Sequence, residues 1–258
     1  MGKIKTTKEI TAMKHGGAIL AESLRAAVRA VKPGATLKEV DAAAEAKMRS
    51  LGAMPSFLNY TQVAHQAGFP STVCVSVNEE VIHGPGNREI VLEEGDIVGL
   101  DIGAWFEGMA TDMAVTVPCG KVSREKQLLM SRTYEALRVG LAQIKNGASV
   151  RAIGKAIQEN LKPFGYGIVR DYVGHGVGND LHEAPSIPNY DEPGAKGKLE
   201  TGMTIAIEPM IIMGGDSRVD HLDDGWTVVS RDGTPSAHFE VTIVVTDDGY
   251  ELLTPFVV

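Results

Sequence analysis

Apolar residues recur at helical spacing close to the N-terminus. Ile10, Met13, Gly17, Leu20, Leu24, Val28 and Val31 fall on one face, the pattern of an amphipathic helix. Thr6 and Glu9 precede that run and match a capping box, in which a hydroxyl and a carboxylate satisfy free N–H groups of the first turn. Thr36 and Glu39 repeat the pattern before a second helix that should end near Gly52. A strand is expected over residues 72–77, with two more near 97–102 and 111–117. Helices near 126–144 and 149–161 come next, then strands near 203–208, 226–229 and 239–245. Helices followed by mainly antiparallel strands, twice over, give an α+β class.

The two passes are related in detail. At an offset of 113, Lys32–Gly52 meets Lys145–Gly165: Thr36 pairs with Ser149, and Leu37, Val40 and Met48 pair with Val150, Ile153 and Leu161. Both stretches read as helices opened by a hydroxyl N-cap. At an offset of 107, LEEGDIVGLD (Leu92–Asp101) meets LETGMTIAIE (Leu199–Glu208), so Asp101 matches Glu208. Asp112, opening DMAVTV, matches Glu240, opening EVTIVV, at an offset of 128. Each half is thus expected to end one apolar strand with an acid and begin another with an acid. Loop insertions account for the drifting offset, because loops tolerate length changes. A period near half the chain is too long for a solenoid. The expectation is one catalytic domain over residues 1–258, made of pseudo-symmetric halves near 7–120 and 121–258, with a site between them.

Composition narrows the function classes. A net charge of −8 argues against a general nucleic-acid binder. No run of 18 apolar residues is present, so no membrane span is expected, and the charged N-terminus lacks the apolar stretch of a secretory signal. Only Cys74 and Cys119 occur, which suits a reducing cytoplasm. Met1, Gly2 and Thr6 fit a myristoylation pattern by letters alone and are read as coincidence.

The duplicated acids carry the chemistry. Asp101 stands in IVGLDIGAW and Glu208 in MTIAIEPMIIM. A buried ionised carboxylate without a partner costs several kcal/mol, on the order of the penalties known for buried ions. Any one of these acids is as well explained by solvent, a strand end or a Lys or Arg partner. Four at duplicated positions, with no Lys or Arg inside the runs, point instead to a pair of divalent cations. His175, in GHGVGNDLHEAP, is the histidine expected to join them. The glycines at 174, 176 and 178 miss the dinucleotide fingerprint. His182 in the same segment and His83 in VIHGPG are further candidates, whereas His15, His65 and His221 are read as structural or solvated.

Taken as an ordered set, VNEEVIHG (77–84), GDIVGLD (95–101), Thr111-Asp112, GHGVGNDLHEAP (174–185), AIEPM (206–210) and FEVTIVVT (239–246) resemble the type I methionine aminopeptidases of the pita-bread fold, over nearly the whole chain. The resemblance implies metal ligation by Asp101, Asp112, His175, Glu208 and Glu240. Asp112 and Glu240 would bridge, Asp101 would bind one ion, and His175 with Glu208 the other. Two divalent ions are implied, from among Co, Mn, Fe and Zn, about 3.5–4 Å apart and generating a hydroxide nucleophile. The reaction implied is removal of N-terminal methionine before a small second residue. Glu208 would shuttle the proton, His182 would stabilise the tetrahedral intermediate, and His83 would contact the substrate near the leaving group. An apolar, narrow pocket for methionine is expected from Tyr60, Phe69, Cys74 and Trp226, with Phe57 beside them. The implied partners are N-terminal peptides and nascent chains, at the ribosome, for a monomeric cytoplasmic enzyme.

The chain departs from the family pattern at Leu181, where an aromatic is common, and in the stretch between Tyr60 and Gly68, which is longer than usual. Neither the long insertion of type II members nor the N-terminal extension of many eukaryotic type I forms is expected, which points to a bacterial-style enzyme. An Xaa-Pro aminopeptidase or prolidase of the same fold is the neighbouring alternative. A metal-free binding protein on that fold is the alternative from another class.

Overall fold

A computed structural model describes residues 2–61 and 67–257. The first helix, α1 (Thr7–Ala30), starts where the capping box places it: the Thr6 hydroxyl accepts from Glu9 N–H, and the Glu9 carboxylate accepts from Thr6 N–H. Its buried face carries Met13, Gly17, Leu20 and Leu24. Gly17 is required by close approach, since a side chain there would run into the Leu253 backbone. Thr36 and Glu39 cap α2 (Leu37–Ser50) in the same way. In the second half α3 (Arg124–Leu141) follows Ser123, whose hydroxyl accepts from Lys126 N–H. α4 (Val150–Leu161) follows Ser149, but Ser149 makes no side-chain cap bond, so the expected shared start signal operates in one half only. The backbone relation is kept nonetheless: Thr36 bridges to Val91 and Ser149 to Lys198, again 107 residues apart in the partner strand segment.

The first-half strands are β1 (Met54–Pro55), β2 (Val73–Val77), β3 (Glu80–Ile82), β4 (Ile97–Phe106) and β5 (Met109–Pro118). The second half supplies β6 (Gly167–Ile168), β7 (Gly174–Gly176), β8 (Glu183–Ile187), β9 (Thr204–Ile207), β10 (Met210–Ile212), β11 (Val219–His221), β12 (Val228–Ser230), β13 (Ser236–His238), β14 (Glu240–Val245) and β15 (Tyr250–Leu252). β4 and β5 run longer than the sequence pattern suggests and form one hairpin. Glu107 and Gly108 at its tip have φ of +49° and +78°, the positive pair that a two-residue hairpin turn needs. As a result Asp101 and Asp112 lie within strands rather than at their ends, contrary to the expectation. In the second half the expectation holds: Glu208 follows β9 and Glu240 opens β14.

Nine strands make the main sheet in the order β1-β4-β5-β14-β9-β7-β8, with β2 on β4 and β15 on β14. Its central run, β4-β5-β14-β9, reads the same from either end once Asp101 is matched to Glu208 and Asp112 to Glu240. The sequence duplication is therefore a structural one, and the seam between the halves is the β5–β14 pair. α1 and α2 cover the first-half strands, with α1 lying on β4 and β5, while α3 and α4 pack together and α3 touches β9, β13 and β5. Leu20, Leu24, Leu100, Ile102, Met113, Leu137, Ile205 and Ile243 are completely or almost completely buried in the core beneath the sheet.

Candidate metal centre

Sheet register puts the acids on one face. Ala114 on β5 is opposite both Asp101 on β4 and Glu240 on β14, and Asp112 is opposite Gly103. Side chains two apart on a strand share a face, so Asp101, Asp112 and Glu240 all project on the side of Ala114. One step beyond the Val241–Ile207 pair, the same register brings Glu208 opposite Glu240. The small residues leave room for the acids. A side chain at Gly103 would collide with Ser56 and the Phe57 ring and crowd Asp112.

His175 on β7 completes the group. Ligand atoms of Asp112, His175 and Glu240 lie within 4.8 Å of one another, and His175 Nε2 is 3.5 Å from Glu208 Oε1. The tautomer follows from the other nitrogen. His175 Nδ1 is 2.9 Å from the Gly176 carbonyl oxygen, which can only accept, so Nδ1 carries the hydrogen and Nε2 presents its lone pair. That arrangement is the one a metal-binding imidazole requires.

The electrostatics are those of a cation site. Asp101 Oδ1, Asp112 Oδ1 and Glu240 Oε1 are buried without a hydrogen-bond partner, and among the described residues no Lys or Arg pairs with any of the four acids. Burial raises the Asp101 carboxyl to about 7. Burial raises Asp112 and Glu208 well above the carboxylate range, and the neighbouring acids push both further. Glu240 is raised in the same way, by burial and then by Glu208 and Asp101. Burial also lowers His175 to about 4, helped by His182. Orphaned carboxylate oxygens converging with one imidazole lone pair, and no thiolate among them, fit hard to borderline divalent cations.

These residues floor a cavity of about 430 Å³. Phe57, Tyr60, Phe69, Cys74, Leu181 and Trp226 line one side of it. Phe69 stands edge-on to both Phe57 and Trp226, at centroid distances of 6.4 and 5.1 Å. Cys74 is the cross-strand neighbour of Asp101; burial and then that acid hold its thiol well above its usual range. His83 and His182 line the cavity too. His83 has φ +61°, a backbone state that costs a non-glycine residue roughly 1–3 kcal/mol, and packs edge-on against Tyr172 at 5.4 Å. His182 is 4.4 Å, ring to ring, from His175 and bonds the Tyr60 hydroxyl through Nδ1 at 2.8 Å.

Every site residue singled out in the sequence therefore lines the same cavity. Four cavity-wall residues, Ile82, Asp171, Tyr172 and Val173, are not singled out by the sequence, and neither is His238. The buried His238 has its Nε2 3.8 Å from Glu208 Oε2 and no hydrogen bond to that nitrogen; burial lowers its pKa to about 3. Its position two before Glu240 is the signal that could have found it, because alternate residues in extended chain share a face. His15 is exposed and off the cavity, as read. His221 is exposed but touches the Tyr172 hydroxyl at 3.3 Å. His65, and residues 62–66 of the long stretch before Gly68, lie outside the described residues.

The chain is similar to known proteins over nearly its whole length. The family model described as metallopeptidase family M24 matches residues 11–247. The methionine aminopeptidase of Clostridium acetobutylicum is 42% identical over 251 residues, covering 97% of this chain and 98% of its own length. Methionine aminopeptidase 1 of Bacillus subtilis is 43% identical with the same coverage. The crystal structure of the Thermotoga maritima methionine aminopeptidase superposes with a TM-score of 0.93 at 42% identity, covering 99% of this chain and all of that one.

Proposed function

The chain belongs to metallopeptidase family M24, and from that premise we propose that it is a methionine aminopeptidase of the pita-bread fold, releasing methionine from peptides with a small second residue. The observation that carries the reading is the set of four converging carboxylates, three of them buried and Asp101 half-buried, with the His175 lone pair on one sheet face, none paired with a Lys or Arg among the described residues, beneath an aromatic cavity wall. The whole chain, residues 1–258, is proposed to work as one catalytic unit, because the β5–β14 seam carries acids from both halves.

Asp101, Asp112, His175, Glu208 and Glu240 would hold two divalent ions. Cobalt, manganese, iron or zinc bound there supplies Lewis-acid polarisation of the scissile carbonyl and lowers the pKa of a water. Glu208 takes the proton of the attacking water and returns it to the leaving amine. His182 donates to the carbonyl oxygen as it gains charge, and His83 contacts the leaving-group side. Phe57, Phe69, Cys74, Leu181 and Trp226, with the Tyr60 ring, receive the methionine side chain, whose thioether packs well on aromatic edges.

The substrates are peptides and nascent chains with a free N-terminal methionine, met at the ribosome by a monomer in the cytoplasm. Two free, buried cysteines support the reducing location, and no described helix is long and apolar enough to cross a membrane. The test is hydrolysis of Met-Ala-Ser beside an Ala-Pro peptide by protein stripped with chelator and reloaded with Mn or Co. Metal-dependent release of methionine alone is the expected result. Preference for Ala-Pro would move the enzyme to the Xaa-Pro branch, and no cleavage despite bound metal would favour a binding protein.

A further inference from the structure

His182 gives one ring nitrogen to the protein. Nδ1 lies 2.8 Å from the Tyr60 hydroxyl, and among the described residues the ring has no second hydrogen-bond partner. Tyr60 itself is held by its backbone: its N–H donates to Phe57 O and its carbonyl accepts from Phe69 N–H, both at 2.8 Å. The ring is thereby kept against the cavity, 5.5 Å from the imidazole.

Which nitrogen of a neutral imidazole carries the hydrogen is decided by the partner of the other. A phenol is protonated at neutral pH, so the Tyr60 hydroxyl has a hydrogen to give. A hydroxyl that donates to Nδ1 leaves Nε2 as the N–H. The reverse arrangement would leave Nε2 a lone pair, which repels an oxygen gaining negative charge. His175 shows the complementary case, since a carbonyl on its Nδ1 makes Nε2 the lone pair.

We propose that Tyr60 is a positioning residue: its hydroxyl donates to His182 Nδ1 and locks His182 in the Nε2–H tautomer, so that this ring donates while the adjacent His175 ring ligates. The tautomer rests on the Tyr60–His182 contact and the hydrogen of the phenol; its consequence for turnover rests on the peptidase reading. His175 on β7 and His182 in the loop beyond it are thus assigned opposite hydrogen placements by their different partners, a carbonyl for one and a phenol for the other.

The experiment is a long-range ¹H–¹⁵N spectrum of histidine-labelled, zinc-loaded protein, with the His182 signals identified by their loss in His182→Ala. The expected spectrum shows His182 protonated at Nε2 and bare at Nδ1. Tyr60→Phe keeps the ring and removes the hydroxyl. In that variant His182 should become a mixture of tautomers. kcat on Met-Ala-Ser should fall roughly tenfold, the scale of one hydrogen bond, with KM within about twofold. On a His182→Ala background the same change should cost nothing further. A wild-type spectrum showing Nδ1–H, an unchanged tautomer in Tyr60→Phe, or losses that multiply in the double variant would overturn the proposal. Should the wild type not hydrolyse the peptide, the peptidase reading falls while the spectrum still decides the tautomer.

Discussion

Lys5 Nζ meets Glu183 Oε2 at 2.8 Å, with the two side chains only 1% and 3% exposed. Glu183 also accepts, through Oε1, from the N–H groups of Asn179 and Asp180 at 2.7 and 3.0 Å. One buried ion pair therefore ties the segment before α1 to the loop that presents His182. Removing one partner of such a pair strands the other charge. Lys5→Met should lower unfolding stability by about 3–5 kcal/mol, read as a shift of the urea midpoint. Lys3→Ala, which breaks the exposed Lys3–Asp180 contact, should cost no more than about 1 kcal/mol. Burial works to raise the Glu183 carboxyl, but Lys5 and the backbone donors hold it below its usual range. This stabilisation is accordingly present at neutral pH and lost as acid titrates the carboxyl in the folded state.

Opposite pH behaviour is expected from the four clustered acids in metal-stripped protein. Their folded-state pKa values are raised, Asp101 to about 7. The folded state then binds more protons than the unfolded one, and stability falls with rising pH until the folded-state carboxyls ionise. Stripped protein should melt at a lower temperature at pH 8 than at pH 6. Added divalent metal should raise the melting temperature more at pH 8. A flat apo profile over this range would show that the acids are not in the buried, repelling arrangement described.

His182→Ala separates transition-state stabilisation from metal binding. The variant should keep its full metal content and lose roughly 100- to 1,000-fold in kcat, the usual cost of an oxyanion donor. Loss of metal in the variant would instead place His182 among the ligands.

Trp226 and Phe69 meet edge-on at 5.1 Å, and Asp224 anchors the Trp226 backbone by accepting its N–H at 2.9 Å. Trp226→Ala should raise KM for Met-Ala-Ser about tenfold, the scale of a lost aromatic contact, with kcat and metal content little changed. A fall in kcat at constant KM would remove Trp226 from the methionine pocket.

Much of this architecture can be read along the chain, and the gaps have physical causes. The capping boxes at Thr6 and Thr36 and the helix expected over 149–161, which is observed over Val150–Leu161, are local signals. The acid pairs were legible because duplication repeats them, and the symmetric β4-β5-β14-β9 run is what that repetition builds. Strands of two or three residues such as β6, β7 and β13 carry too little alternation to register; their cross-strand partners define them. The sequence pattern ends β4 four residues early and starts β5 two residues late, because Glu-Gly is an unusual hairpin tip and the apolar run breaks at Gly103. For His238 the one local signal is its place two residues before Glu240; its contact with Glu208 joins β13 to the end of β9, which are distant in sequence.

The most direct measurement is metal content per chain by native mass spectrometry, titrated with Mn, for wild type and Asp112→Asn, with methionine release from Met-Ala-Ser followed in the same samples. The account predicts up to two ions on the wild type. It predicts weakened metal binding in the variant, because Asp112 is one of the five proposed ligands, with a loss of at least roughly 100-fold in kcat/KM, the upper range for disturbing even an outer partner of a ligand. Unchanged metal uptake and turnover in Asp112→Asn would contradict it.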